Sequence, residues 1–256
     1  MFLIKHSINK AVVGIAAVAL CATATPTTAS AHEGHHPHVV FILPGQTVGA
    51  LPYGPLQSAL GASGFDARTL DLQGTDLRAD AARLAQEIDQ VRAADPEATI
   101  SLVGHSAGGM SARHYLKNLG GHAQVSNYIA IGSPQYGSPS ACLQPGTARD
   151  LCPGSDFLRA LNEQDDTPGN TAYYSLRSER EWADGRLDGG QCRMAPIPLP
   201  FPLSLLGGGF HHSLEPLQHE TAGAVIAALN GTCTGEYAEE EIDSIAAKDT
   251  LFQNGI

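Results

Sequence analysis

Ser106 sits in Gly104-His105-Ser106-Ala107-Gly108, a spacing that could hold a serine out as a nucleophile. The apolar run from Ile100 to Val103 enters this pentapeptide and a helical pattern from Met110 to Leu119 leaves it, so the serine falls on a strand-to-helix turn. On so tight a turn the serine takes an unusual backbone conformation, and side chains two positions to either side would collide. Gly104 and Gly108 remove those side chains. In a chain with 28 glycines the pentapeptide alone could arise by chance, and its place between strand and helix is what gives it weight.

A serine hydroxyl is a weak nucleophile at neutral pH. It needs a base to take its proton and a carboxylate to orient that base. In the layout that carries such a turn, the order along the chain is serine, acid, histidine. His212 suits the base, because it precedes a helical pattern that starts near Leu214 and so belongs to a loop above the sheet. His211 is its nearest rival. His219 lies within the helical stretch, His105 is expected to point away from Ser106, and His114 and His122 come too early. Glu179, Glu181 and Asp184 all qualify as the acid by following a strand that ends near Leu176, each with the plain alternative of a solvated loop charge. The oxyanion of an acyl transfer needs backbone N–H donors. Ala107 supplies one by following the nucleophile, and Gln46, in Pro44-Gly45-Gln46 after the first strand, supplies the other.

The elements that must position these groups alternate. Val39 to Leu43, Phe65 to Leu70, the run before Ser106, Val125 to Ile131 and Ala172 to Leu176 read as strands. Between them Leu56 to Leu60 begins one helix, and Leu77, Ala81, Leu84, Ile88 and Val91 recur at helical spacing to make another that ends before Pro96. Leu214 to Leu229 reads as a closing helix. This alternation predicts an α/β fold, a mostly parallel sheet with helices on both faces. Residues 135 to 170 read as an insertion above the sheet. The Pro-rich apolar stretch from Ala195 to Gly209 fits a pocket lining or a buried crossing loop equally well.

Residues 1–31 read as an export signal: Lys5 and Lys10, an apolar run from Ala11 to Ala22 too short to span a bilayer, then Ala29-Ser30-Ala31 as a cleavage site. A lipoprotein anchor on Cys21 is the weaker reading, since Leu20 is larger than the small residue such a site carries. Residues 32–235 then form one domain and residues 236–256 an acidic, mobile tail, and no other segment reaches membrane-spanning length. The mature chain keeps 13 basic residues against 26 acidic ones, a formal charge of −13, which excludes a basic nucleic-acid surface. Four histidines between His32 and His38 read as a solvated leader rather than a metal site. In an oxidising compartment Cys142, Cys152, Cys192 and Cys233 suggest two disulfides. Of three pairings the one favoured joins Cys142 to Cys152 and Cys192 to Cys233.

Gly-His-Ser-Ala-Gly-Gly-Met, Tyr115-Leu116-Lys117-Asn118-Leu119 and Val125 to Gly132 resemble the class 2 lipases, small secreted bacterial α/β-hydrolases, with the likeness extending over about residues 38 to 233. Members usually carry His-Gly where this chain has Pro44-Gly45. Their acid lies in a segment similar to Tyr173 to Glu181, with aspartate where this chain has Glu181, and counting back from Leu229-Asn230-Gly231 puts their histidine at His212. The resemblance implies an α/β-hydrolase fold and hydrolysis of acylglycerols or shorter carboxylic esters through an acyl-enzyme. Ser106, His212 and Glu181 would be the triad and Gln46 and Ala107 the oxyanion donors, with no cofactor or metal. Expected partners are an ester or lipid substrate and, transiently, lipid surfaces, with the enzyme itself a monomer. A secreted acyltransferase or polyester depolymerase would carry the same turn, and an inactive lipid-binding relative would keep the fold without turnover.

Overall fold

The computed structural model describes residues 36–46, 49–178, 185–205 and 207–251. Seven strands form one sheet in the order β2-β1-β3-β4-β5-β6-β7: β1 (His38–Leu43), β2 (Asp66–Thr69), β3 (Thr99–His105), β4 (Asn127–Ile131), β5 (Ala172–Leu176), β6 (Gly189–Arg193) and β7 (Glu236–Glu240). All neighbouring pairs are parallel except β6 with β7. The helices are α1 (Gly54–Ala62), α2 (Leu77–Ala94), α3 (Ala107–Asn118), α4 (Asp156–Leu161), α5 (Gly208–Leu214), α6 (His219–Leu229) and α7 (Ala247–Thr250).

The central strands are apolar along their whole length because both faces are covered. In β1, alternation sends Val39, Phe41 and Leu43 into a core with α2 and α3, and Val40 and Ile42 into a second core with α1 and α6. The five apolar positions read from the sequence for α2 are all buried, and Asp76 caps that helix by accepting the Ala79 amide at 3.0 Å. After β1 the chain moves outward to β2, and it returns to β3 on the other side of β1. The loops leaving β1 and β3 therefore diverge at the carboxyl ends of the strands, where a reversal in strand order opens a crevice.

The insertion of residues 135–170 packs Ala141, Leu151, Phe157, Leu158 and Leu161 against Ala107 and Met110 at the start of α3. Its buried anchor is an ion pair between Arg113 of α3 and Asp166, both fully enclosed, with the Tyr136 hydroxyl donating to Asp166 at 2.7 Å. Both favoured disulfides are present, Cys142–Cys152 within the insertion and Cys192–Cys233 joining β6 to the segment after α6.

Three elements differ from the sequence reading. Residues 236–240, assigned to a mobile tail, pair with β6 as the antiparallel edge of the sheet, so the folded domain runs past residue 235. The helix read as Leu214 to Leu229 starts only at His219, because Pro216 sits in a separate 3-10 turn, Glu215–Leu217. His38, grouped with the leader, opens β1 and meets the Ser101 hydroxyl at 2.7 Å. In the Pro-rich stretch Leu199 is buried, whereas Phe201 and Leu205 are 80% and 70% exposed. Among the described residues no helix is long and apolar enough to cross a membrane.

Candidate active site

Ser106 occupies the turn between β3 and α3 with φ 53° and ψ −125°, a conformation costly for any residue with a side chain. Its amide is fixed by donating to the Ile131 carbonyl at 2.9 Å. The flanking glycines are sterically required. A Cβ at Gly104 would lie 2.3 Å from the Gly109 Cα, and one at Gly108 would lie 2.2 Å from the Leu43 carbonyl oxygen at the end of β1. Ala107 is the first residue of α3, so its N–H is one of those a helix leaves without an internal acceptor.

Gln46 follows β1 in the loop facing this turn. Its side-chain amide donates to Gln144 Oε1 at 2.8 Å and accepts from Gln144 Nε2 at 3.1 Å, which ties the loop to the insertion. Ser106, Ala107, Gln46, Gln144 and His212 line one cleft of about 190 Å³, with Ser138, Ser140, Ala141 and Leu151 of the insertion on its far wall. The structure thus gathers four of the five sequence-derived residues at one opening. Glu181, the fifth, and its rivals Glu179 and Asp184 lie outside the described residues.

His212 stands in α5, a seven-residue helix, rather than in a loop. Its Nδ1 is 3.8 Å from Oε2 of Glu215, a fully buried carboxylate three positions later. The sequence reading passed over Glu215 because it fell inside what looked like the closing helix. The signal available was its i, i+3 spacing from His212. His211 is fully buried and does not line the cleft, and neither ring nitrogen has a hydrogen-bond partner among the described residues.

His105, set aside because its ring should point away from Ser106, turns out to contact both flanks of the site. Its Nδ1 is 2.7 Å from Tyr53 Oη and its Nε2 is 3.0 Å from the His212 carbonyl oxygen. Burial, with the nearby His212 ring adding to it, holds its pKa down to about 3, so the imidazole is neutral. Burial likewise pushes the Tyr53 hydroxyl up to about 12. Ligand atoms of His105, His212 and Glu215 lie within 4.8 Å of one another, a spacing that could hold a metal, yet both nitrogens of His105 already serve in hydrogen bonds.

A model of the palmitoyl protein thioesterase family matches residues 73–163, a stretch that includes Ser106 and stops short of His212. No curated protein matches the chain. Among solved structures, phospholipase PlaB from Legionella pneumophila superposes with a TM-score of 0.59 at 15% identity, covering 80% of this chain and 61% of that one. Its complex with thio-NAD gives 0.53 at the same identity, covering 77% and 62%. A mature Bacillus licheniformis lipase is 22% identical over 58% of this chain and 68% of its own, with a TM-score of 0.49. At these identities the likeness concerns architecture: the chain has an α/β-hydrolase fold.

Proposed function

We propose that this chain is a secreted serine hydrolase of carboxylic esters, acylglycerols or shorter esters, related to the class 2 lipases. One observation carries the reading: Ser106, held at φ 53° on a strand-to-helix turn, opens into a cleft that His212 also lines. In this mechanism Ser106 Oγ attacks the ester carbonyl while His212 takes its proton, and the oxyanion is held by the N–H groups of Ala107 and Gln46. Collapse of the tetrahedral intermediate expels the alcohol, which receives that proton from His212. Water, activated by the same histidine, then attacks the acyl-enzyme and releases the acid. Glu181 is the carboxylate that orients the imidazole, with Glu179 and Asp184 as its rivals. The names of the matched family and of the structural neighbour, a thioesterase and a phospholipase, fit acyl transfer to water. The leader at residues 1–31 and the two disulfides fit export.

Hydrolysis of p-nitrophenyl esters of two, four, eight and sixteen carbons tests the reading, with Ser106→Ala as control. Turnover by the wild type should fall by roughly 10⁴-fold or more in the variant. Equal rates in the two proteins would overturn the assignment. The thioesterase match favours a second substrate class for the same machinery, and a palmitoyl thioester assayed beside its oxygen ester decides between them.

A further inference from the structure

A line of hydrogen bonds joins the Gly45 loop to α5, the two segments that flank Ser106. The Gly45 amide donates to Tyr53 Oη at 2.7 Å, Tyr53 Oη meets His105 Nδ1 at 2.7 Å, and His105 Nε2 meets the His212 carbonyl at 3.0 Å. Elementary bookkeeping of protons gives every bond a direction. The His212 carbonyl can only accept, so Nε2 carries the proton of the neutral imidazole and Nδ1 accepts. Tyr53 must then donate to Nδ1, and its oxygen lone pair receives the Gly45 amide.

We propose that Tyr53 and His105 are positioning residues that hold the oxyanion donor Gln46 and the base His212 in register across Ser106. This rests on the roles given above to Ser106, Gln46 and His212. The argument is steric at one end. A Cβ on Gly45 would lie 3.0 Å from His105 Nδ1 and 3.1 Å from Ser106 Cβ, so the loop passes too near the turn for a larger residue to fit without displacement. A glycine there brings backbone freedom that would blur the direction of the next amide, and the Tyr53 hydroxyl removes it by fixing the Gly45 N–H. At the other end, α5 is seven residues long, too short to be stable by itself, and the bond from His105 pins its backbone at His212. Neither side chain lines the cleft, so both act through the groups they hold.

The test is p-nitrophenyl butyrate hydrolysis by Tyr53→Phe, His105→Gln and the double variant, with active sites counted by fluorophosphonate titration. Tyr53→Phe removes one oxygen and should lower kcat per titrated site by about 10-fold to 100-fold with KM within about twofold, the mark of lost alignment. Gln at position 105 can still donate toward the His212 carbonyl, but its own oxygen sits at the far end of the side chain and leaves the Nδ1 position beside Tyr53 without an acceptor. The double variant should therefore be no slower than the slower single variant, because both break one line. Wild-type kcat per titrated site in Tyr53→Phe, or fully multiplying losses in the double variant, would overturn the proposal. If Ser106→Ala keeps full activity, the reading of the site has failed. If Ser106→Ala is inert while Tyr53→Phe is normal, only the positioning role has failed.

Discussion

The two flanks of the cleft are built on different principles. On the Ser106 flank, backbone geometry settles nearly everything: a positive φ, two glycines against backbone atoms, and amides at Gly45 and Ser106 each with a partner. On the His212 flank, a short helix and a 3-10 turn carry buried polar side chains, and the polar atoms of His211, the Gln218 amide and the Thr221 hydroxyl have no hydrogen-bond partner among the described residues. Ser106 is thus held by close contacts of backbone on backbone, within the turn and against the end of β1, and His212 by packing and polar side-chain contacts.

The largest effect expected from breaking this contrast is on the histidine flank. Glu181→Gln should lower kcat about 10⁴-fold, as loss of the orienting carboxylate does in serine hydrolases, with the fold intact by circular dichroism. Glu215→Gln should cost about tenfold or less if Glu215 only adds negative charge near His212 Nδ1. The reverse ranking would move the acid to Glu215 and place the whole orienting pair within α5 and the turn that follows it.

On the other flank, Gly108→Ala drives a methyl group fixed to the backbone into the backbone carbonyl of Leu43. Neither partner can rotate away, so the expected cost exceeds about 4 kcal/mol and little folded protein should be recovered. A variant melting within a few degrees of the wild type would mean that the turn is less constrained than its geometry implies.

What the sequence revealed follows the same division. Gly104, Ser106 and Gly108 lie close in sequence, and their place between an apolar run and a helical pattern foretold the turn; the buried run Val39 to Leu43 likewise announced β1. The disulfide pairing was legible because Cys142 and Cys152 close a short loop and Cys192 and Cys233 bracket the closing helix. β6 and β7 were missed because Gly189-Gly190-Gln191-Cys192-Arg193 and Glu236-Tyr237-Ala238-Glu239-Glu240 lack apolar alternation. They pair at the edge of the sheet through backbone bonds that carry little side-chain signature. His212 was singled out by its order in the chain and lines the cleft, yet its helix was not read, because Pro216 divides a stretch whose apolar spacing reads as continuous. Nothing near His105 in the sequence points to Tyr53, which is 52 positions away.

The two disulfides sharpen the contrast between stability and alignment. In the chain-entropy estimate, Cys192–Cys233, with a separation of 41, contributes about 3.9 kcal/mol, and Cys142–Cys152, with a separation of 10, about 2.7 kcal/mol. The shorter bridge nevertheless spans Gln144, which holds Gln46 at the cleft. Replacing Cys142 and Cys152 with serine should therefore lower the melting temperature less, and kcat more, than replacing Cys192 and Cys233. Equal losses of kcat in the two double variants would show that the insertion does not help to hold the Gln46 loop.

The smallest expected effect is a slope. His105 has a folded-state pKa of about 3 against 6.5 when unfolded, so above pH 6.5 neither state carries its proton and the residue is silent. As pH falls below 6.5 the unfolded chain binds a proton that the folded chain refuses, and stability drops by up to about 1.4 kcal/mol per pH unit toward pH 3. His38 and His114, also lowered by burial, add to this loss in the same direction. Melting temperatures of the wild type should thus decline more steeply between pH 6.5 and 4.5 than those of His105→Gln, which retains the other two. Parallel curves would mean that the imidazole becomes charged in the folded protein, and the hydrogen-bond direction from Tyr53 through His105 to the His212 carbonyl would no longer hold.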